Sequence, residues 1–300
     1  TTPGATITSK PGASDGFVVK YDAAGSIVYS TFWGNGGDYD QVPDLVVDSV
    51  GDVVVAVRYG SGSQPGGMKL GPSGVKLWEY VFNDAATEHS YANRVVTDTA
   101  NNIYVVGNAH GCCFPLLNPW DSSYNGGSDD GFLAKLDPSG NLLFTTYFGG
   151  NGWDAIYGMA IDTTGVYVGG HTTSTDIPMV NAYDSSHNGG LDMFLMKFDL
   201  NGQVLLLSTY VGGSGNEEME KLTLGPNGDL YMVGTSASPD FPTHSAAYDR
   251  TYAGAIDIAV ARLSSTGSFL GGTYLGGTGQ DGVSQAKALV TSNARLFVAG

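Results

Sequence analysis

One short sentence recurs along this chain, and that repetition limits the possible folds more than any other feature. DGFVVKYDAAGSIVYSTFWGN starts at Asp15 and DGFLAKLDPSGNLLFTTYFGG at Asp130. DMFLMKFDLNGQVLLLSTYVGG follows from Asp192 and DIAVARLSSTGSFLGGTYLGG from Asp257. A weaker copy, MKLGPSGVKLWEYVFN, runs from Met68 to Asn83. A second segment alternates with the first: DLVVDSVGDVVVAV from Asp44, NRVVTDTANNIYVVGNA from Asn93 and GMAIDTTGVYVGG from Gly158. KLTLGPNGDLYMVGT from Lys221 and KALVTSNARLFVAG from Lys287 complete that series.

Each segment sets two short apolar runs around a turn of Gly, Asn, Asp or Ser, the signature of a β-hairpin. The runs are too short for helices, are rich in Val, Ile, Tyr and Phe, and keep no 3.6-residue period. A unit of roughly sixty residues therefore predicts four antiparallel strands, A to D. IYVVG and FLMKF are apolar on both faces, so their sheets need neighbours on both sides. Radial packing of blades supplies such neighbours and leaves only short edges.

The expected fold is all-β: a β-propeller of four-stranded antiparallel blades forming one domain over residues 1–300. The chain opens on strands C and D and ends on strands A and B. Pairing of those halves would make a fifth blade and close the ring. The competing reading is a fragment of a longer repeat protein.

The pattern DGFLAKLDPSG followed by TTYFGG resembles the bacterial β-propeller repeat called SBBP. GNGWDAIYGMAIDTTGVYVGGHTTSTDIP and VGTSASPDFP resemble it too. The resemblance implies a secreted or surface-anchored bacterial propeller and brings no catalytic residues with it. Residues 60–83 depart most from the pattern, lacking the Asp-Phe opening.

Composition narrows the function. The 300 residues include 45 Gly, only 14% are charged, and the formal net charge is −16. Such a surface repels nucleic acid and attracts cations. No apolar run approaches the length of a membrane-spanning helix. No leader pattern is present, and a secreted or cell-surface location is expected.

The longer B–C and D–A connections are where a binding site is expected. Three B–C loops align at Pro115, Pro178 and Pro242, each followed by an aromatic and an Asp: Trp120–Asp121, Tyr183–Asp184 and Tyr248–Asp249. An aromatic beside a carboxylate can hold a sugar ring. It can equally plug an inter-blade gap while the Asp caps the loop, and the repetition favours that structural role. The D–A loops carry Asp40, Asp154 and Glu217, with Glu88 and Asp281 at slightly different offsets. Gathered at a channel they would hold Ca²⁺, although no DxDxDG loop occurs; capping of Gly-rich turns is the preferred alternative. Cys112 and Cys113 are adjacent, and a strained disulfide between them is the favoured pairing.

Three functions compete. The favoured one is a non-enzymatic extracellular or surface module that recognises a protein or glycan, or self-assembles. A Ca²⁺-stabilised scaffold is the second. The third is a propeller enzyme, a lyase or glycosidase, with its site on the long-loop face; His89, His110 and His171 could approach that face. No cofactor other than Ca²⁺ is implied. The cations Lys20, Lys135, Lys197 and Arg262 share one position of strand C and read as structural.

Overall fold

The computed structural model describes residue 9 and residues 12–34, 39–60, 64–82, 90–111, 113–281, 287–290 and 296–299. Every regular element among them is a strand. Strands β1 (Gly16–Tyr21) and β2 (Ile27–Trp33) form a two-stranded sheet. Four four-stranded sheets follow. The first holds β3 (Gln41–Val47), β4 (Val53–Tyr59), β5 (Gln64–Leu70) and β6 (Lys76–Val81). The second holds β7 (Tyr91–Thr97), β8 (Ile103–His110), β9 (Asp129–Leu136) and β10 (Leu142–Phe148). The third holds β11 (Asp154–Asp162), β12 (Gly165–Thr172), β13 (Asp192–Phe198) and β14 (Leu205–Val211). The fourth holds β15 (Glu217–Leu224), β16 (Leu230–Ser236), β17 (Asp257–Leu263) and β18 (Phe269–Leu275). The last two strands, β19 (Lys287–Val290) and β20 (Leu296–Ala299), pair only with each other among the described residues. The expected A-to-D meander is thus present in four complete, propeller-like blades. The two flanking hairpins stand as separate sheets rather than as one joined fifth blade.

The chain divides into two compact units. One comprises Thr1–Tyr124 and Phe132–Tyr147, the other Asn125–Gly131 and Phe148–Gly300. In the first, Val54, Ala56, Val105, Phe132 and Ala134 belong to one fully buried cluster. In the second, Met193, Leu195, Met219, Met232 and Ala259 do the same. Strands β4, β8, β12 and β13 are buried on nearly every residue, as doubly apolar sequences require.

Hairpin ends are fixed by aspartates. Asp98 accepts the N–H groups of Ala100 and Asn102 (2.9 and 2.8 Å), and Asp137 those of Ser139 and Asn141 (2.8 and 2.9 Å). These Asx turns explain the recurring Asp-x-x-Gly pattern. The strand C cations reach the A–B turns. Lys69 meets Asp48 at 2.8 Å and Asp52 at 3.1 Å, and Arg262 pairs with Asp229. Lys197 donates to the Tyr167 hydroxyl at 2.6 Å.

The first strand of each complete blade carries a β-bulge: between Gln41 and Asp44, Ala92 and Arg94, Ile156 and Gly158, and Met219 and Lys221. The bulge turns a backbone carbonyl toward the second strand. At Gly170 a Cβ would overlap the Ala155 carbonyl oxygen, and Gly107 and Gly234 face the equivalent carbonyls of Tyr91 and Glu218. Glycine late in strand B therefore answers the bulge.

Candidate functional site

The Asx turns close one end of the inner hairpin, and the other end holds the candidate site. In the second unit, antiparallel register sets Ala155 of β11 against His171 of β12. Tyr157, the bulged residue, stacks on the His171 ring with centroids 5.1 Å apart and planes at 25°. Trp153, just before β11, meets the same ring edge-on at 5.3 Å. Its indole N–H donates to an Asp129 carboxylate oxygen at 3.0 Å, which holds the ring in place.

His171 is 4% exposed. Burial holds its pKa down at about 4, only partly opposed by a hydrogen bond to the Met219 carbonyl. The ring is therefore neutral at pH 7. One nitrogen donates to that carbonyl, while Nδ1 is buried with no hydrogen-bond partner. A neutral imidazole whose tautomer is fixed by one bond presents a lone pair at its other nitrogen.

This end of the hairpins does not repeat. The positions matching His171 in the other sheets are Arg58, Asn108 and Thr235, facing Gln41, Tyr91 and Glu218. In the first unit Arg58 stacks over Tyr91 at 4.0 Å and donates to Gln41 at 3.1 Å and Asn93 at 3.3 Å. Asn93 donates to Asn108 at 2.8 Å. The Asx turns, by contrast, recur in most hairpins, through Asp22, Asp48, Asp98, Asp137, Asp162 and Asp199. Chemistry that varies on a scaffold that does not is the pattern of a functional face. Comparing the repeats column by column would have picked out this variable position. Searching for shared motifs selects against it.

The aromatic–Asp pairs lie elsewhere, on loops that run along the outer strand. Asp121, Asp184 and Asp249 each accept the N–H two residues on, at 2.8, 2.9 and 2.8 Å. Their own N–H groups donate to Thr146, Thr209 and Thr273. Trp120 is half-buried. Tyr183 stacks on Phe269 of the next blade at 4.7 Å and 16°. Tyr248 is 87% exposed. The geometry is that of a loop clamp. Tyr248 also borders a cavity of about 420 Å³ lined by Tyr231, His244, Arg262, Gly271 and Thr273.

The D–A carboxylates are distributed one to a sheet. Asp40 accepts the Gly60 N–H at 2.7 Å. Asp154 accepts from the Gly150 N–H (2.8 Å), the Thr172 hydroxyl (2.5 Å) and the Ser174 hydroxyl (2.9 Å). Burial still raises the Asp154 pKa against those bonds. Glu217 takes the Gly213 N–H at 2.7 Å and the Ser236 hydroxyl at 2.5 Å, and Asp281 takes the Gly277 N–H at 2.6 Å. Among the described residues no three His, Cys, Asp or Glu side chains gather in a metal-binding group. Cys113 is exposed. Cys112, and with it the expected disulfide, lies outside the described residues, as do Glu88 and His89. His110 ends β8 in the first unit.

No family model and no curated protein matches the chain, so the SBBP resemblance rests on the quoted motifs. Solved structures do match its fold. A protein of unknown function from Dyadobacter fermentans aligns over 94% of this chain and 77% of its own, with 15% identity and a TM-score of 0.52. A gluconolactonase from Xanthomonas campestris aligns over 94% and 75%, with 11% identity and a TM-score of 0.44. The expectation of a non-enzymatic surface module is corrected on the geometry of the His171 end of β11 and β12. That end carries one buried imidazole against two aromatic rings, a grouping that the matching positions Arg58, Asn108 and Thr235 do not repeat. What the comparisons establish for this chain is an all-β, propeller-like fold.

Proposed function

We propose that this protein is an enzyme of the propeller type that acts on a sugar by proton transfer, with its site at the His171 end of β11 and β12. The observation that carries the reading is the unpartnered Nδ1 of His171, a buried neutral base set against Tyr157 and Trp153, which substrate would reach only as those rings give way. A proton acceptor must be unprotonated at working pH and reachable by the substrate. Aromatic rings beside it give a pyranose face an apolar wall.

The lyase reading is favoured over the glycosidase reading. Hydrolysis requires one protonated carboxyl and one carboxylate flanking the scissile bond. Asp154, the buried carboxylate nearest His171 in the sheet, and Glu217 are instead both engaged by their turns. Elimination requires a base at the ring carbon, and His171 has the lone pair for it.

The test is turnover on a panel of polysaccharides, followed by the ultraviolet absorbance of unsaturated product ends. His171→Gln keeps a donor for the Met219 carbonyl and removes Nδ1. It should lower turnover by about 100-fold or more while the fold survives. Unchanged turnover in a folded His171→Gln protein overturns the proposal.

We also propose that the hairpins β1–β2 and β19–β20 form a fifth blade. Elsewhere the C–D turn of one blade presses on the outer strand of the blade before it: Gly74 on Tyr29, Gly140 on Trp78 and Gly267 on Leu207. Gly25, in the β1–β2 turn, has no such neighbour within 4 Å among the described residues. Ala24→Cys with Leu270→Cys, in a chain with Cys112 and Cys113 changed to Ser, should cross-link within one monomer; cross-linking only between chains rejects closure.

A further inference from the structure

A different pair of carboxylates raises a question that their turns do not answer. Asp192 opens β13 and Glu217 opens β15, and both are fully buried. Oδ2 of Asp192 accepts the Asn188 N–H at 2.8 Å, but Oδ1 is buried with no partner. That oxygen points at Gly212. A Cβ there would stand 2.6 Å from the Asp192 carboxyl carbon and 2.8 Å from Oε2 of Glu217, with Asp192 Oδ1 closer still. Only glycine leaves room for two carboxylates to converge on one spot.

Two buried carboxylates facing each other without a Lys or Arg counter-charge repel one another and resist being ionised together. Neither makes an ion pair with Lys or Arg among the described residues. The groups acting on Asp192 besides Glu217 are His187, whose Nε2 lies 3.1 Å from the Thr172 carbonyl, and Asp184. Asp184 adds further negative charge, and its Oδ2 is occupied by the Asn188 amide at 2.7 Å. The next blade repeats the strand C half of the arrangement. Asp257 is fully buried, its Oδ1 has no partner, and a Cβ at Gly276 would stand 2.8 Å from its carboxyl carbon. Asp281 occupies the place of Glu217 and accepts the following Gly277 N–H.

We propose that Asp192 and Glu217 bind a hard divalent cation of the Ca²⁺ class at Gly212, and that Asp257 and Asp281 form a second such site at Gly276. All donors are oxygens, and each site offers two carboxylates, which suits Ca²⁺ over softer metals. The site differs from a ring of D–A carboxylates around a channel. Each ion sits within one blade-to-blade corner, bridging the strand C aspartate and the next strand A acid. It would tie those two strands where the chain turns from one blade into the next.

The experiment uses the whole chain stripped with chelator, titrated with CaCl₂ at pH 7.5 and followed by calorimetry and by thermal melting. Ca²⁺ should raise the melting temperature, and bound Ca²⁺ should fall by one ion per chain in Asp192→Asn and by two in Asp192→Asn with Asp257→Asn. Asn is close to isosteric and removes the buried charge, so the variants should fold without Ca²⁺; Gly212→Ala, which fills the cradle, is the second test and should also lose one ion. A Ca²⁺ stoichiometry that the variants leave unchanged overturns the proposal. So does a melting temperature indifferent to Ca²⁺ but responsive to pH alone, because a shared proton then does the neutralising.

Discussion

The third and fourth sheets are built alike, and the divergence with chemical consequence lies at the far end of the inner hairpin. Both begin strand A with a buried acid, Asp154 or Glu217, satisfied by the Gly-Gly turn before it and a hydroxyl on strand B. Both bulge strand A at the same place and answer the bulge with a glycine. Yet where β12 has His171 between two aromatics, β16 has Thr235 facing Glu218. A scaffold that tolerates His and Thr at one position is not held together by either. The His171 cluster is therefore free to serve another purpose, and its buried, unpaired nitrogen is a cost that structure alone gives no reason to keep.

The largest effect expected from breaking the likeness is at the bulge. Gly170→Ala and Gly234→Ala should each cost several kcal/mol, measured by denaturant unfolding, because the added methyl meets backbone rather than a movable side chain. Equal losses at the two positions would show that the sheets share one mechanical core. A loss at only one would separate them.

A smaller effect should separate the sheets through pH. The folded protein resists protonating His171 until about pH 4, whereas an unfolded histidine takes its proton near 6.5. Between those values the unfolded chain binds the extra proton, so stability falls as pH drops through the window and levels off below it. The His171 share of that fall is about 3 kcal/mol. His171→Thr, which copies the β16 residue into β12, should remove this share and leave the remaining pH dependence intact. A wild-type stability flat from pH 6.5 to 4 would count against the burial of a neutral ring.

Much of the fold was legible because the sequence states it five times. The Asx turns, the hairpin pairs and the doubly buried strands all follow from local chemistry repeated in phase. The end hairpins, expected to join as a fifth blade, pair only within themselves among the described residues, because such a sheet depends on two distant segments meeting. The site was harder for a related reason. Trp120, Tyr183 and Tyr248 are legible because they recur; Tyr183 stacks on Phe269, while Tyr248 stands exposed. His171 recurs nowhere. Its significance depends on a bulge that turns Tyr157 onto its ring and on burial that strips its proton, and neither is written in the residues next to it. Asp192 was overlooked because its partner acid opens a different sheet, and only the packing of β13 near β15 brings the two together.

The most direct measurement of the central claim is a nitrogen-15 NMR titration of the His171 ring, with and without an oligosaccharide taken from the panel that the protein turns over. The account predicts a neutral ring at pH 7 with its proton on the nitrogen facing the Met219 carbonyl, a midpoint near 4, and an Nδ1 resonance that moves when the sugar binds. A ring that titrates near 6.5, or an Nδ1 signal unmoved by a bound sugar, would contradict it.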